Sequence, residues 1–200
     1  MSNGIKVKKR NGRGTEALNL EKMHKMVDEA TQGLAGVSAS QVEIQSGIQF
    51  YDGITTAEIQ EILIKSASDL IDLEHPNYQF VAARLLLFSI RKSLYGRSRE
   101  LPKLEDHIVK CVTQEVYDGD IYSKYSKEDI EKANGYIDHN RDFLFTYAGL
   151  RQVADKYLVQ DRSTGQVYET PQFMYMMIAL TIFAEYPKET RLNYVRRYYD

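Results

Sequence analysis

Apolar residues along this chain recur mainly at helical spacing. From Leu20 to Gln32 they fall at Leu20, Met23, Val27 and Ala30, which predicts an amphipathic helix capped by Asn19 and stopped at Gly33. The pattern restarts with Ser38 or Ser40 as N-cap, and Val42, Ile44 and Ile48 predict a second helix ending near Tyr51, before an Asp52-Gly53 turn. Thr55 and Glu58 have capping-box spacing ahead of a third helix whose face is Ile59, Ile62, Leu63, Ala67 and Leu70. Beyond Pro76, the residues Tyr78, Val81, Ala82, Leu85, Leu86, Phe88 and Ile90 are too many for one narrow face. A fourth, largely buried helix is therefore predicted, ending at Arg91-Lys92 with Gly96 beyond. Cations at that end have a simple explanation, since they complement the helix dipole.

The second half begins at Pro102 and keeps the helical period. Leu104 to Val116 is predicted as one helix, and Ser126 to Gly135 as another, opened by a Ser126 and Asp129 cap. The run Ile137-Asp138-His139-Asn140-Arg141-Asp142 mixes acids, a histidine and an arginine, which would suit acid–base chemistry. Structural capping is the favoured reading, because Asp and Asn precede the apolar run Phe143-Leu144-Phe145 and Arg141 can pair locally. Tyr157-Leu158-Val159 and Gln166-Val167-Tyr168 flank the loop Asp161 to Gly165 and read as a β-hairpin. Thr170-Pro171 opens a helix carrying Phe173, Met174, Met177, Ile178, Leu180 and Ile182, with the methionines as core filler. Lys188 to Asp200 reads as a helix cut off in mid-stride, so the chain is expected to be incomplete.

The first residues depart from helical spacing. Val7-Lys8-Lys9-Arg10-Asn11-Gly12-Arg13-Gly14-Thr15-Glu16-Ala17 reads as two short strands, because Asn11-Gly12 supplies the positive φ values of a tight hairpin turn. Together the patterns predict a mainly α fold. A small β-hairpin caps four helices in residues 1–97, and a second helical region with one hairpin fills residues 98–200.

Composition narrows what this fold can serve. Net charge is only −2, yet Lys8, Lys9, Arg10, Arg13 and Lys22 gather at the hairpin, so the basicity is local. A small anion suits such a cluster, Lys supplying a point charge and Arg a planar fork for phosphate oxygens. A solvated basic face is the competing reading. Near-neutral balance argues against a dedicated nucleic-acid binder, and no apolar run is long enough for a membrane span. With Cys111 the single cysteine, neither a disulfide framework nor a zinc knuckle can be built, which fits a reducing, cytoplasmic compartment. There is no phosphate-binding loop of the Gly-x-x-x-x-Gly-Lys-Ser/Thr type, no His-Glu-x-x-His pair, and no nameable nucleophile with its base. No catalytic or metal-ligating residue is expected in this chain.

Several segments carry a family pattern: Lys9-Arg10-Asn11-Gly12, Leu20-Glu21-Lys22-Met23, Phe50-Tyr51-Asp52-Gly53-Ile54-Thr55-Thr56, Tyr78 to Leu85, Arg91-Lys92 and Tyr95-Gly96. They resemble the ATP-cone domain at the start of the large (alpha) subunit of class I ribonucleotide reductase. The likeness continues through Ile137-Asp138-His139, Lys156 to Val159, Thr164-Gly165, Glu169 with Gln172-Phe173, and Glu189 to Leu192.

The resemblance implies an ATP-cone in residues 1–97 that sets overall activity by binding ATP or dATP with Mg²⁺. Carried over by position, Lys9, Arg10, Glu16, Asn19, Lys22, Thr56 and Lys92 line its pocket. Glu16 to Lys22 forms one contiguous strip that takes in Ala17, Leu18, Leu20 and Glu21. Two positions where relatives often have histidine are Gln60 and Ser89 here, which implies ATP binding with inhibition by dATP weakened or lost. The implied partners are the rest of the alpha chain with its catalytic barrel, a second alpha subunit, and the small radical-generating beta subunit. The family's radical and redox-active cysteines lie beyond residue 200, so this chain alone is not expected to reduce ribonucleotides. Two other readings remain: a free-standing nucleotide-sensing regulator, and a helical protein-interaction module with no ligand.

Overall fold

The computed structural model describes residues 4–9, 14–96 and 99–200. The Asn11-Gly12 turn, Arg10 and Arg13 lie outside the described residues. The chain forms two compact units, one holding the residues up to Ser89 together with Phe143–Arg151, the other Ile90–Asp142 and Gln152–Asp200.

The first unit opens with β1 (Lys6–Lys8) and β2 (Thr15–Ala17), antiparallel in the register Lys6↔Ala17, Val7↔Glu16, Lys8↔Thr15. Helix α1 (Leu20–Thr31) follows directly, and Asn19 caps it as expected, its side chain accepting from the Lys22 amide at 2.8 Å. Met23, Val27 and Ala30 are buried on one face of α1, at the spacing read from the sequence. The orphan carbonyls at its C-terminus are met by Arg84, which donates to the Ala30 and Gln32 oxygens at 3.1 and 2.7 Å.

Helix α2 (Ala39–Gly47) takes Ser38 as its cap, stops four residues short of Tyr51, and differs in its buried face. Val42 is buried, but Ile44 and Ile48 are 68% and 82% exposed. Residues two and six positions from Val42 cannot share its side of a helix, so the alternating run is not a helical stripe. Helix α3 (Thr56–Asp69) starts at the Thr55 and Glu58 capping box, both halves of which are formed. Helix α4 (Tyr78–Tyr95) is buried along most of its length, as its apolar content required. Within the first unit, Phe143 sets its ring edge-on to Phe88 at 6.2 Å, and Arg151 pairs with Glu61 at 3.3 Å.

The second unit is built from α5 (Leu104–Thr113), the single turn α6 (Ile121–Lys124), α7 (Lys127–Asn134), α9 (Pro171–Ile182) and α10 (Arg191–Tyr199) around one core. That core includes Leu104, Ile108, Ile130, Phe173, Met176, Leu180 and Val195. A 3₁₀ turn (His139–Leu144) and α8 (Tyr147–Lys156) precede β3 (Gln160–Asp161) and β4 (Gln166–Val167), which pair antiparallel. Asp161 is thus in a strand, not in the hairpin loop.

Three further details depart from the sequence reading. Helix α5 ends at Thr113, short of Val116, and Glu115 beyond it takes a left-handed φ of 57°. On α9 the buried residues are Pro171, Gln172, Phe173, Met174, Met176, Ala179 and Leu180, while Ile178 and Ile182 face outward. Asp142 is no cap: it is buried in the 3₁₀ turn, and Arg141 pairs with the distant Asp200 at 3.2 Å instead of locally. Asp138 does close a short turn, its carboxylate accepting from the Asn140 amide at 2.9 Å.

Candidate functional site

Strand β1 is the middle of the site. Its inward residue Val7 is buried, and alternation turns Lys6 and Lys8 to solvent. One edge takes β2; the other takes the segment leading into α3. Gly53 donates to the Lys6 oxygen at 2.8 Å, Lys8 donates to the Ile54 oxygen at 2.9 Å, and Lys8 and Thr55 form a parallel bridge. Gly53 makes that approach with a φ of +83°, which an L side chain adopts only with strain. The Asp52 carboxylate tightens the junction by accepting from the Lys6 amide at 2.7 Å.

These bonds bring the N-terminus of α3 to the basic hairpin. Thr55 accepts from the Glu58 amide at 3.1 Å and donates to Glu58 Oε2 at 2.6 Å, while Tyr51 donates to Glu58 Oε1 at 2.8 Å. Those hydrogen bonds, Thr55 first, with a smaller contribution from Lys8, hold the Glu58 carboxyl down at about 2. Thr56 is the first helical residue, where unsatisfied N–H groups and the dipole favour an anion.

The expected strip is continuous in space as well as in sequence. Glu16 and Ala17 lie in β2, Leu18 extends the ladder through a 3.0 Å bond to the Ile5 oxygen, and Asn19 to Lys22 make the cap and first turn of α1. A cavity of about 290 Å³ lies against Gly4 to Lys6 and Thr15 to Leu18. Lys9 pairs with Glu16 at 3.1 Å, both side chains partly in water, so the pair is weak and exchangeable. Lys92 is exposed in the last turn of α4, in the part of that helix belonging to the second unit. Arg10 lies outside the described residues. Gln60 is buried and contacts Met26, its amide 3.8 Å from the sulfur. The sequence reading did not single out Lys6 and gave Asp52 only as part of a turn and of the family pattern; the pairing of Gly53–Thr55 on β1, which connects them, carries no local signature.

The second unit holds its own buried polar groups. His107 stacks on Phe173 with ring centroids 4.3 Å apart, and its nitrogens lie 3.3 Å from the Tyr95 hydroxyl and 3.1 Å from that of Tyr117. Tyr117 donates to Glu169, which also accepts from the Val159 amide at 2.7 Å. Burial pushes His107 down to about 3 and Cys111 up to about 11, leaving both neutral. Such groups pin the β3–β4 hairpin to α5. Among the described residues, no group of three or more His, Cys, Asp or Glu side chains is arranged to hold a metal ion, and no helix is long and apolar enough to cross a membrane.

A strand pair and a helix N-terminus thus meet at the lysine-bearing strand β1. Residues 5–93 match the ATP cone domain, and residues 143–200 match the all-alpha domain of ribonucleotide reductase. The whole chain is 48% identical to ribonucleoside-diphosphate reductase 1 subunit alpha of Escherichia coli K12, and 47% identical to the subunit alpha of Haemophilus influenzae, spanning 26% of each. Against the subunit alpha of phage T4, 188 residues are 42% identical, which is 93% of this chain and 24% of the relative. The chain belongs to the ribonucleoside-diphosphate reductase alpha-subunit family as its N-terminal region, and spans about a quarter of the length of these relatives.

Proposed function

We propose that this chain is the allosteric, overall-activity part of a class I ribonucleoside-diphosphate reductase, with ATP or dATP bound to its first unit as a complex with Mg²⁺. In this reading the triphosphate is neutralised by Lys9, Arg10 and Lys22, and Thr56 donates to a phosphate oxygen from the positive end of α3. Glu16 and Asn19 serve the sugar or base, Asn19 through its amide NH₂ because its oxygen already caps α1. Ala17, Leu18, Leu20 and Glu21 complete the wall, and Lys92 is a further cationic contact. Lys9 exchanges its weak pair with Glu16 for a phosphate. The donor set suits a polyanion, and Mg²⁺ would offset phosphate charge without a protein ligand of its own.

The observation that carries this reading is the Lys8 and Thr55 bridge, which joins the cationic hairpin to a capped helix N-terminus. The functional boundary is placed at residues 97 and 98, just past the end of α4 at Tyr95. Conversion of ribonucleoside diphosphates to deoxyribonucleotides belongs to the remainder of the alpha chain, partnered by a second alpha subunit and a radical-generating beta subunit, in the cytoplasm.

Calorimetric titration with Mg-ATP and Mg-dATP tests the site. Saturable binding is expected, lost in the Lys9→Ala/Arg10→Ala double variant, with ATP retained and dATP weakened relative to relatives that have histidine at the positions of Gln60 and Ser89. A folded chain that binds neither nucleotide overturns the assignment in favour of a ligand-free interaction module.

A further inference from the structure

We infer that the second unit carries a binding site for an amphipathic organic cation, a flat apolar body bearing an amidinium or ammonium group, seated against the buried Glu169. A cavity of about 610 Å³ opens between the α5–α6 connection, the segment entering β3 and helix α9. That volume lies in the range that holds a small organic molecule. Its walls are largely apolar, with Val116, Val159, Met174 and Met177 among them. They also take in Ile178 and Ile182, the residues of α9 that face outward, at 38% and 50% exposure. The two methionines give the wall polarizable, adaptable side chains suited to closing on an aromatic body.

The charges around the cavity select the sign of its guest. Among the described residues that line it, the carboxylates of Asp118, Asp120, Glu169 and Glu185 face a single ammonium, that of Lys124. Lys124 is already held by Glu185 at 2.6 Å and by Asp120 at 3.8 Å, so it offers little to an anion. Asp118, Asp120 and Glu185 are exposed and draw a cation toward the mouth without enclosing it. Glu169 is different. It is 1% exposed, and its partners, the Tyr117 hydroxyl and the Val159 amide, are both neutral. A carboxylate this deeply enclosed ordinarily has a cation beside it. Glu169 accepts one bond on each oxygen, which leaves a further lone pair on both. Burial without a positive neighbour pushes its pKa up. An amidinium supplies the missing charge through two parallel donors, and the apolar body behind it takes Ile178 and Ile182 out of water.

Titration of the 200-residue chain with benzamidine, followed by amide NMR shifts, tests this. Benzamide and benzoate share its shape, one without charge and the other with the opposite charge. Benzamidine is expected to saturate, with shifts centred on the Val159 amide and on α9. It should bind at least about tenfold more tightly than benzamide, as a charge-assisted bond to a buried group would give, and benzoate should not bind. Glu169→Gln keeps the size of the side chain and should remove the preference for benzamidine over benzamide. Thr181 lines the cavity from an exposed position on α9, so Thr181→Trp should obstruct it and abolish binding with the fold intact. If Glu169→Gln fails to fold, Thr181→Trp and the three probes decide the matter. No saturation by benzamidine, shifts centred elsewhere, or an unchanged affinity in a folded variant overturns the site. Equal binding of benzamide also overturns it, and marks the groove as an apolar surface for protein contact instead.

Discussion

Arg191 and Asp129 form an ion pair at 2.7 Å in the second unit, with the Arg191 side chain almost fully enclosed and its guanidinium 4.2 Å above the Tyr125 ring. The same Asp129 oxygen accepts from the Ser126 amide, so one carboxylate both caps α7 and anchors α10. Against the desolvation that burial imposes, Arg191 and Ser126 hold this carboxyl below its ordinary value.

Removing it should therefore be expensive. Asp129→Ala loses the cap, worth about 1 kcal/mol, and leaves Arg191 enclosed without its partner, which costs about 3 kcal/mol or more. Urea unfolding should report a loss of about 4 kcal/mol, while Ser126→Ala should lose only about 1 kcal/mol. Equal losses from the two variants would show that the ion pair contributes nothing.

Glu58 gives the first unit an acid-sensitive edge. A carboxyl whose folded pKa is lowered stabilises fully above its unfolded value, and that stability disappears as pH falls through the folded one. Unfolded and folded values here are 4.5 and about 2. The melting temperature of wild type should exceed that of Glu58→Gln by a constant margin above pH 4.5, and the margin should close by about pH 2. A margin independent of pH would show that the carboxylate charge is irrelevant to the cap.

His107 acts in the same direction for a different reason. A base whose folded pKa is depressed below 6.5 is protonated more readily when unfolded, so the native state loses stability as pH drops below that value. Burial also holds His139 down, to about 4. Each contributes a slope of about 1.4 kcal/mol per pH unit between its two pKa values. His107→Gln should lower the acid slope between pH 6 and 4, measured by urea titration, by about 1.4 kcal/mol per pH unit. An unaltered slope would place the titration elsewhere.

Gly53 links fold to proposed ligand. Alanine at φ +83° should cost about 1–2 kcal/mol, and the strain falls where Gly53 donates to Lys6. Gly53→Ala should weaken ATP binding more than it lowers the melting temperature of the second unit. Thr31→Ala, at the other end of α1, provides the control: its hydroxyl only donates to the Asp28 oxygen. Loss of affinity in the control alone would sink the argument.

What the sequence disclosed was whatever is encoded locally. Asn19, Thr55 with Glu58, and Ser126 with Asp129 all sit where their spacing to the next apolar stripe predicted, because a cap bonds three residues away. The Glu16 to Lys22 strip, by contrast, rests on the family resemblance and not on capping spacing. The role of Arg91 was not legible, since its partner Asp142 is fifty-one residues distant and a cation at a helix end already has a local explanation. Nor was the pairing of Gly53 with Lys6, a backbone contact that any sequence could make. Ile44 and Ile48 misled in the opposite direction, as apolar residues without a buried face.

Cys111, enclosed beside His107 with its thiol 3.7 Å from the Tyr168 oxygen, is the only sulfhydryl in the sequence. Toward alkylating reagents these 200 folded residues therefore behave as though they held no cysteine at all. A fluorophore or spin label introduced through Ile48→Cys, on the exposed end of α2, would report without background. Any labelling of Cys111 itself becomes a clock for the moments when the β3–β4 hairpin lifts from α5.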